Sequence, residues 1–340
     1  MIVLDIDDPR WVAFVDGHPS ATAFHHPSWA KVIGECYRYP AFALARLDQQ
    51  DQVIAGMPVI EVSGPFRRRR WVSLPFTDWC PPLERSAIAE SGLVEELDVA
   101  RRQAEVWQLE IRGHLTGSGA HASPAAVMHR LRLEPEPDHV YRRFKRLSVR
   151  KGITRAERNG VVIRQGESSP ALTHVFYHLH LQTRRRLGVP AQPRRYFDLL
   201  WRKMLEPGRG FVLLAYTGET PIAGAVFLAW NGTVIYKYGA SDTRSWDLHP
   251  NHLVMWTAIR WGCEHGFDTF DFGRSDLSNK GLRQFKGGWA PEEDLLYTTI
   301  ADHPAPPGEH RLQDAAGTVI RHCPLWVCRA AGELLYRYAA

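Results

Sequence analysis

Apolar positions recur along this chain either every second residue or at helical spacing, and Gly, Pro, Asn and Asp punctuate them. Ile2 to Ile6 reads as a strand. Asp8-Pro9 then opens a helix, with Asp as N-cap and Pro at the first helical position. His26-Pro27-Ser28 opens a second helix, with Trp29, Val32 and Ile33 at helical spacing. Ala41 to Leu47 and Val53 to Val62 are strands joined by the polar turn Asp48-Gln49-Gln50-Asp51. Trp71 to Leu74 is a short apolar run, Arg85 to Arg102 a helix and Val106 to Ile111 a strand. Gly113 to Pro124, rich in Gly, Ser, Ala and His, reads as a loop. The pattern predicts an α/β unit with antiparallel hairpins.

From Tyr141 the character changes. Eight Lys and Arg residues between Tyr141 and Arg158 stand against one acid, Glu157, and Gly160 is placed to end that helix. Val161 to Ile163 begins a strand. Ala171 to Leu187 and Arg195 to Leu205 read as helices. Phe211 to Tyr216 and Ile222 to Trp230 are strands around Thr217-Gly218-Glu219, and Asn231-Gly232 signals a hairpin into Thr233 to Tyr238. Pro250 to His265 is a helix closed by Gly266. Thr269 to Phe272 is a strand, Lys280 to Lys286 a helical turn and Leu295 to Ile300 a strand. After a Pro-rich exit at Asp302 to Gly308, a final helix interrupted near Pro324 runs to the end. The elements divide the chain into residues 1–140, residues 141–305 and a helical tail, 306–340.

At 340 residues and 44% hydrophobic composition the chain can bury a sizeable core, and its length favours two domains. A net charge of +5 and a pI of about 9.0 suit an anionic partner. The five cysteines are scattered without a C-x-x-C pair, which argues against a disulfide framework or a Cys-rich metal site. His174, His178 and His180 include one i, i+4 pair but no H-E-x-x-H pattern, so no metal site is expected. The N-terminus carries acids where a signal peptide needs positive charge, and no run of eighteen apolar residues occurs. A soluble cytoplasmic protein is expected.

Three ordered stretches carry a family resemblance: Tyr236-Lys237-Tyr238-Gly239-Ala240-Ser241, Phe270-Asp271-Phe272-Gly273-Arg274-Ser275, and Gly281-Leu282-Arg283-Gln284-Phe285-Lys286 followed by Gly288-Trp289-Ala290. With a helix between the first two, they resemble the Fem (FemABX) peptidyltransferases and their acetyltransferase-like relatives. Arg150 to Val162 is similar to that family's R-x-x-I-x-x-A-x-x-x-G-V segment. Ser73 to Asp78 with Pro81-Pro82-Leu83 is similar to its P-x-x-D-x-G-G-P turn, although Trp79-Cys80-Pro81 replaces the glycines. The resemblance spans roughly residues 20 to 300. It implies an α/β (α+β) chain of two tandem GNAT-like domains, with mixed, largely antiparallel sheets flanked by helices. The element order of the second half agrees with this, and the first half gives a weaker version of it. The resemblance further implies an acyltransferase moving an aminoacyl group from aminoacyl-tRNA, as co-substrate, to an amine. The acceptor would be a peptidoglycan precursor or a secondary-metabolite or polysaccharide amine. No long helical-hairpin arm follows in the second half, unlike some members.

Amide formation from an activated ester needs the amine held and deprotonated and the developing oxyanion stabilised. Lys286 is the foremost catalytic candidate, to meet oxyanion charge or the departing 3′-oxygen. Asp271, between two aromatics, is expected to project opposite Phe270 and Phe272 and to orient Lys286 or accept a proton. Tyr236 and Tyr238 are expected to share a face by period two and line the acceptor groove. Asp78, Arg274 and Arg185 complete the substrate-binding set, and Arg150, Lys151 and Arg155 are candidates for tRNA phosphates. Each has a plainer reading: a capping lysine, a structural acid, core tyrosines, an Asx turn, or a solvated basic face like the patch Arg67-Arg68-Arg69-Arg70.

Two other functions compete. An acyl-CoA-dependent N-acyltransferase would carry a Gly-rich pyrophosphate loop before the helix at Pro250, but Thr243 to Asn251 holds no glycine. A binding protein on the same scaffold would not need Asp271 and Lys286. No G-x-x-x-x-G-K-[ST] loop supports ATP-driven ligation. The last helix, with Val319, Ile320, Leu325, Trp326, Val327, Leu334, Leu335, Tyr336 and the arginines 321, 329 and 337, could lie on an anionic membrane near a lipid-linked acceptor. Packing against a domain or a second subunit, in a monomer or a homodimer, is the favoured reading.

Overall fold

The computed structural model describes residues 1–63, 68–85, 92–301, 320–321 and 323–336. In chain order its first elements are β1 (Ile2–Asp5), α1 (Pro9–Gly17), α2 (Pro27–Tyr37), β2 (Ala41–Leu47), β3 (Val53–Ser63), β4 (Arg69–Val72), β5 (Leu83–Glu84), α3 (Leu93–Gln103) and β6 (Gln108–Ile111). Then come β7 (Ala120–Arg132), α4 (Pro137–Arg143), α5 (Lys151–Arg158), β8 (Val162–Gln165), α6 (Tyr177–Leu187), α7 (Arg194–Leu200), β9 (Gly210–Thr217), β10 (Thr220–Trp230) and β11 (Thr233–Ser241). The last are α8 (Pro250–Glu264), β12 (Thr269–Asp276), α9 (Lys280–Lys286), β13 (Asp294–Ala301) and α10 (Leu325–Leu335). Asp8, the expected cap of α1, accepts from Arg10 N; the His26 ring accepts from Ser28 N and Asn279 from Leu282 N.

Among the described residues the strands form one sheet in the order β1-β2-β3-β4-β6-β13-β7-β12-β11-β10-β9-β8, with β5 against β3. The order is nearly palindromic. Each half runs strand, two helices, three strands, helix, strand, and in each half the strands flanking the single helix are parallel: β4 with β6, β11 with β12. The next strand of each half is exchanged. β7, which follows β6, pairs with β12, and β13, which follows β12, pairs with β6, while β7 and β13 pair with each other. Strand pairing therefore crosses residue 140. Helices α1, α2, α6 and α7 cover one face with a core common to both halves; α3, and separately α4, α5 and α8, cover the other.

Two expectations are corrected here. Residues 120–124 belong to β7, not to a loop. Small and polar residues hide the strand's alternation, and pairing with the distant β13 supplies it, Pro124 sitting opposite the irregularity between Leu296 and Tyr297. The basic stretch 141–158 is not one helix. Phe144 turns extended (φ −69°, ψ 147°) and drives its ring between Trp256 and Trp289, so the chain breaks between α4 and α5. The helix expected from Arg85 begins at Leu93, with 86–91 outside the described residues, as are Arg67, 302–319 and Arg337.

No helix of the described residues is long and apolar enough to cross a membrane. α10 packs on α6, burying Cys328 and Tyr336 and leaving Trp326 exposed. Tyr336 stacks on Tyr37 and meets Phe76, both from the first half. The helix comes so close that a Cβ at Gly332 would stand 1.9 Å from Ala191 O. Gly332→Ala is therefore expected to lift α10 and cost about 1–3 kcal/mol. Thermal unfolding checks this, and an unchanged Tm would refute the packing.

Candidate functional site

The site forms where β11 and β12 part. Their parallel register holds for three pairs only, Thr233–Ile235 against Thr269–Asp271. Beyond them both strands are irregular. β12 skips two residues against β7 between Asp271 and Arg274, and Gly273 within that bulge takes φ +67°. A Cβ at Gly273 would lie 2.8 Å from Tyr236 O and 3.3 Å from an Asp78 oxygen, so only glycine lets the strands and the Asp78 turn converge.

Lys286, at the end of α9, reaches under this bulge. Its Nζ donates to Gly273 O (2.8 Å) and Arg274 O (2.9 Å), and the residue is 2% exposed. An ammonium has three N–H groups, so one remains after these bonds. Burial pushes its pKa down to about 8, against the opposing pull of Asp78, Asp271 and Asp276. Asp271 is also buried, and its Oδ1 accepts from Gly273 N at 2.7 Å. Burial raises its pKa to about 6, opposed by that bond and by Arg130 and Lys286. Phe270 and Phe272 face the opposite core, so Asp271 projects away from them as alternation requires. Asp271 and Lys286 act on each other through charge and share Gly273 as a hydrogen-bonding neighbour, without a direct bond among the described residues.

Asp78 belongs to the same cluster through Lys237, which sequence reasoning passed over. Lys237 Nζ donates to Phe76 O (2.9 Å) and Asp78 Oδ1 (3.3 Å) and lies over the rings of Phe24, Trp29 and Tyr238. It is the residue skipped by a bulge in β11, where Val226 pairs with Tyr238 and Phe227 with Tyr236. That bulge overturns the expectation that Tyr236 and Tyr238 share a face. Tyr236 packs with Phe227 on the α8 side, whereas Tyr238 donates to Tyr196 Oη (2.9 Å) on the α6–α7 side. Two tyrosines flanking a lysine carry no sequence mark of a bulge; only the partner strand reveals it.

The remaining candidates are spread out. Arg274 pairs with Asp276 (3.0 Å) at the rim. Arg185 lines a separate pocket of about 520 Å³ with Arg186, Ser241, Arg244 and Arg321, beyond the end of β11. Lys151 and Arg155 are exposed on α5, with Arg155 3.4 Å from His249, and Arg150 is half-buried before it. From the opposite end, a cleft of about 560 Å³ between Phe24, His25, Trp79, Arg130 and Ile235 leads to Asp271. The segment 243–248 is a tight turn, His249 takes φ 56° and Pro250 starts α8, so no glycine loop precedes that helix.

Residues 143–286 match the family model described as acetyltransferase (GNAT) domain. The crystal structure of FemX superimposes with a TM-score of 0.70 at 16% identity, covering 93% of this chain and 100% of that one. The C-terminal domain of a putative lysylphosphatidylglycerol synthetase from Agrobacterium fabrum gives a TM-score of 0.55 at 13% identity, over 92% of this chain and 95% of that one. The fold is therefore GNAT-like, and the segment that matches the family model lies in the second half of the chain. In sequence, the chain is 33% identical over 69 residues to a lipid II:glycine glycyltransferase of Staphylococcus aureus, a match covering 20% of this chain and 16% of that enzyme.

Because the Lys237–Asp78 pair is largely buried, at 4% and 20% side-chain exposure, removing one partner strands the other. Asp78→Asn is expected to destabilise the protein by about 3 kcal/mol, and Lys237→Met combined with it by less than the sum. Denaturant unfolding of the double-mutant cycle checks this; additive effects would show that the two do not interact.

Proposed function

We propose that the chain is an acyltransferase that forms an amide bond between an aminoacyl group, delivered as the ester of aminoacyl-tRNA, and an amine acceptor of the peptidoglycan-precursor or polysaccharide-amine kind. The observation that carries the reading is the buried Lys286 ammonium, fixed by two backbone carbonyls of the β12 bulge, with the buried Asp271 carboxylate bonded to the same bulge. The acceptor nitrogen attacks the ester carbonyl carbon, the bond to the 3′-oxygen breaks, and the amine proton ends on that oxygen. The spare N–H of Lys286 stabilises negative charge on the carbonyl or leaving oxygen, where low dielectric strengthens it. Asp271, at the end of the cleft, receives the amine and takes its proton; its raised pKa makes it a better base than an exposed carboxylate. The cleft between Phe24, His25, Trp79 and Arg130, which ends at Asp271, holds the acceptor. The absence of a glycine loop before α8 favours an RNA ester over acyl-CoA.

The test is single-turnover transfer from aminoacyl-tRNA to amine acceptors, beside binding of a charged-tRNA pool in competition with acetyl-CoA. Lys286→Ala is expected to lower the transfer rate about 100- to 1,000-fold, as for loss of one oxyanion donor, with Lys286→Arg recovering part of it. A Lys286→Ala rate equal to wild type would remove the mechanism, and tight acetyl-CoA binding would replace the donor.

The reaction is expected to need Asp271 ionised and Lys286 protonated, so kcat/KM should be bell-shaped with limbs near about 6 and about 8. Stability carries the opposite imprint. Asp271, raised from 3.8 to about 6, contributes stability below 3.8 that is lost as pH rises through about 6. Lys286, lowered from 10.5 to about 8, contributes stability above 10.5 that is lost as pH falls through about 8. Asp271→Asn should abolish the acid limb of activity and flatten stability across the first window. An unchanged acid limb would assign it to another group.

A further inference from the structure

On the far side of α9 from the Asp271 cleft, His129 of β7 lies under Gly287. It is 1% exposed, yet neither ring nitrogen has a hydrogen-bond partner among the described residues. Nε2 stands 3.3 Å from a Glu293 oxygen without hydrogen-bond geometry. Orphaned buried polar atoms are costly, and a pair on one ring signals a missing partner. The ring borders a cavity of about 350 Å³ lined also by Lys145, Lys280, Arg283 and Glu293.

The lining is cationic. Arg283 is neutralised by Glu293, with bonds of 2.9 Å and 2.5 Å, but Lys145 and Lys280 have no carboxylate partner among the described residues. An uncharged His129 offers one N–H donor, and two ammonium groups face the same space. A second cavity of about 300 Å³ shares Lys145 and Gln284 with the first and adds Phe285 and His252. The two make a groove along the outer face of α9, whose inner face carries Lys286.

We infer that this groove binds a phosphate group of the acyl donor, with Lys145, Lys280 and His129 holding the oxyanion and Phe285 bordering the adjoining nucleoside. The inference rests on the acyl-transfer reading for the donor, but the phosphate site stands on its own geometry. The basic face of α5 would then be an outer contact and not the primary one. CoA phosphates share the same chemistry, and the experiment separates the two sources.

Lys145 and Lys280 are exposed, so charge reversal at both should leave the fold intact. Binding of an uncharged acceptor-stem RNA hairpin, of CoA and of inorganic phosphate would be measured for wild type and Lys145→Glu/Lys280→Glu across a salt series. The hairpin Kd should rise about tenfold or more in the double variant, and its salt slope should fall by about 1 to 2. In wild type, inorganic phosphate should shift the His129 imidazole nitrogen resonances, and in the double variant it should not. Weakened CoA binding with unchanged hairpin binding would keep the phosphate site and sink the tRNA reading. Unchanged binding of all three probes, with no His129 shift, would overturn the site while leaving the role of Lys286 untouched.

Discussion

Everything about the site depends on the exchange of β7 and β13. Each half contributes a strand that completes the other half's sheet, so the two halves share one hydrogen-bonded lattice instead of meeting at an interface of side chains. Separating them would expose strand edges on both sides as well as the core common to α1, α2, α6 and α7. The turn carrying Asp78 belongs to the first half, and Lys237, Asp271 and Lys286 belong to the second. The hydrogen bond between Lys237 and Asp78, which joins the two halves at the site, is a consequence of that lattice.

Within this frame, departures from regular pairing create the chemistry. A sheet in perfect register would occupy the backbone groups of β11 and β12 with each other. Parting after three pairs, bulging at Lys237 and bulging again at Phe272-Gly273 leave carbonyls of Gly273 and Arg274 to hold an ammonium. The same bulge turns Gly273 N toward Asp271. Burial then moves the two charges' pKa values toward each other, to about 6 for the acid and about 8 for the amine. Two groups with nearby titrations in one dry site are what proton transfer near neutrality requires.

The basic residues divide by depth. Arginines at the rim of the pocket near Arg185 and on α5 are solvated or paired, and such charges act weakly and at long range. Lys286 and Lys237 are buried and have fixed partners. Lys145 and Lys280 are intermediate in kind: exposed, without a carboxylate partner among the described residues, and lining one cavity with a buried imidazole. Electrostatic attraction thus grades from a diffuse surface field into specific donors near the parting strands.

Much of this was legible in the sequence. Capping residues and apolar rhythm marked most helices and strands, because those signals are local. The order of elements with the three ordered motifs indicated the GNAT-like fold that is observed. Lys286 and Asp271 stood out because the motifs around them are short and contiguous. What the sequence could not convey is non-local. The β7 strand hides among small residues and is defined by β13, more than 150 residues away. The opposed faces of Tyr236 and Tyr238 follow from a bulge set by β10. The Lys237–Asp78 pair and the orphaned His129 exist only once distant strands are brought side by side. Local propensity wrote the elements, and pairing between strands remote in sequence decided which side chains meet.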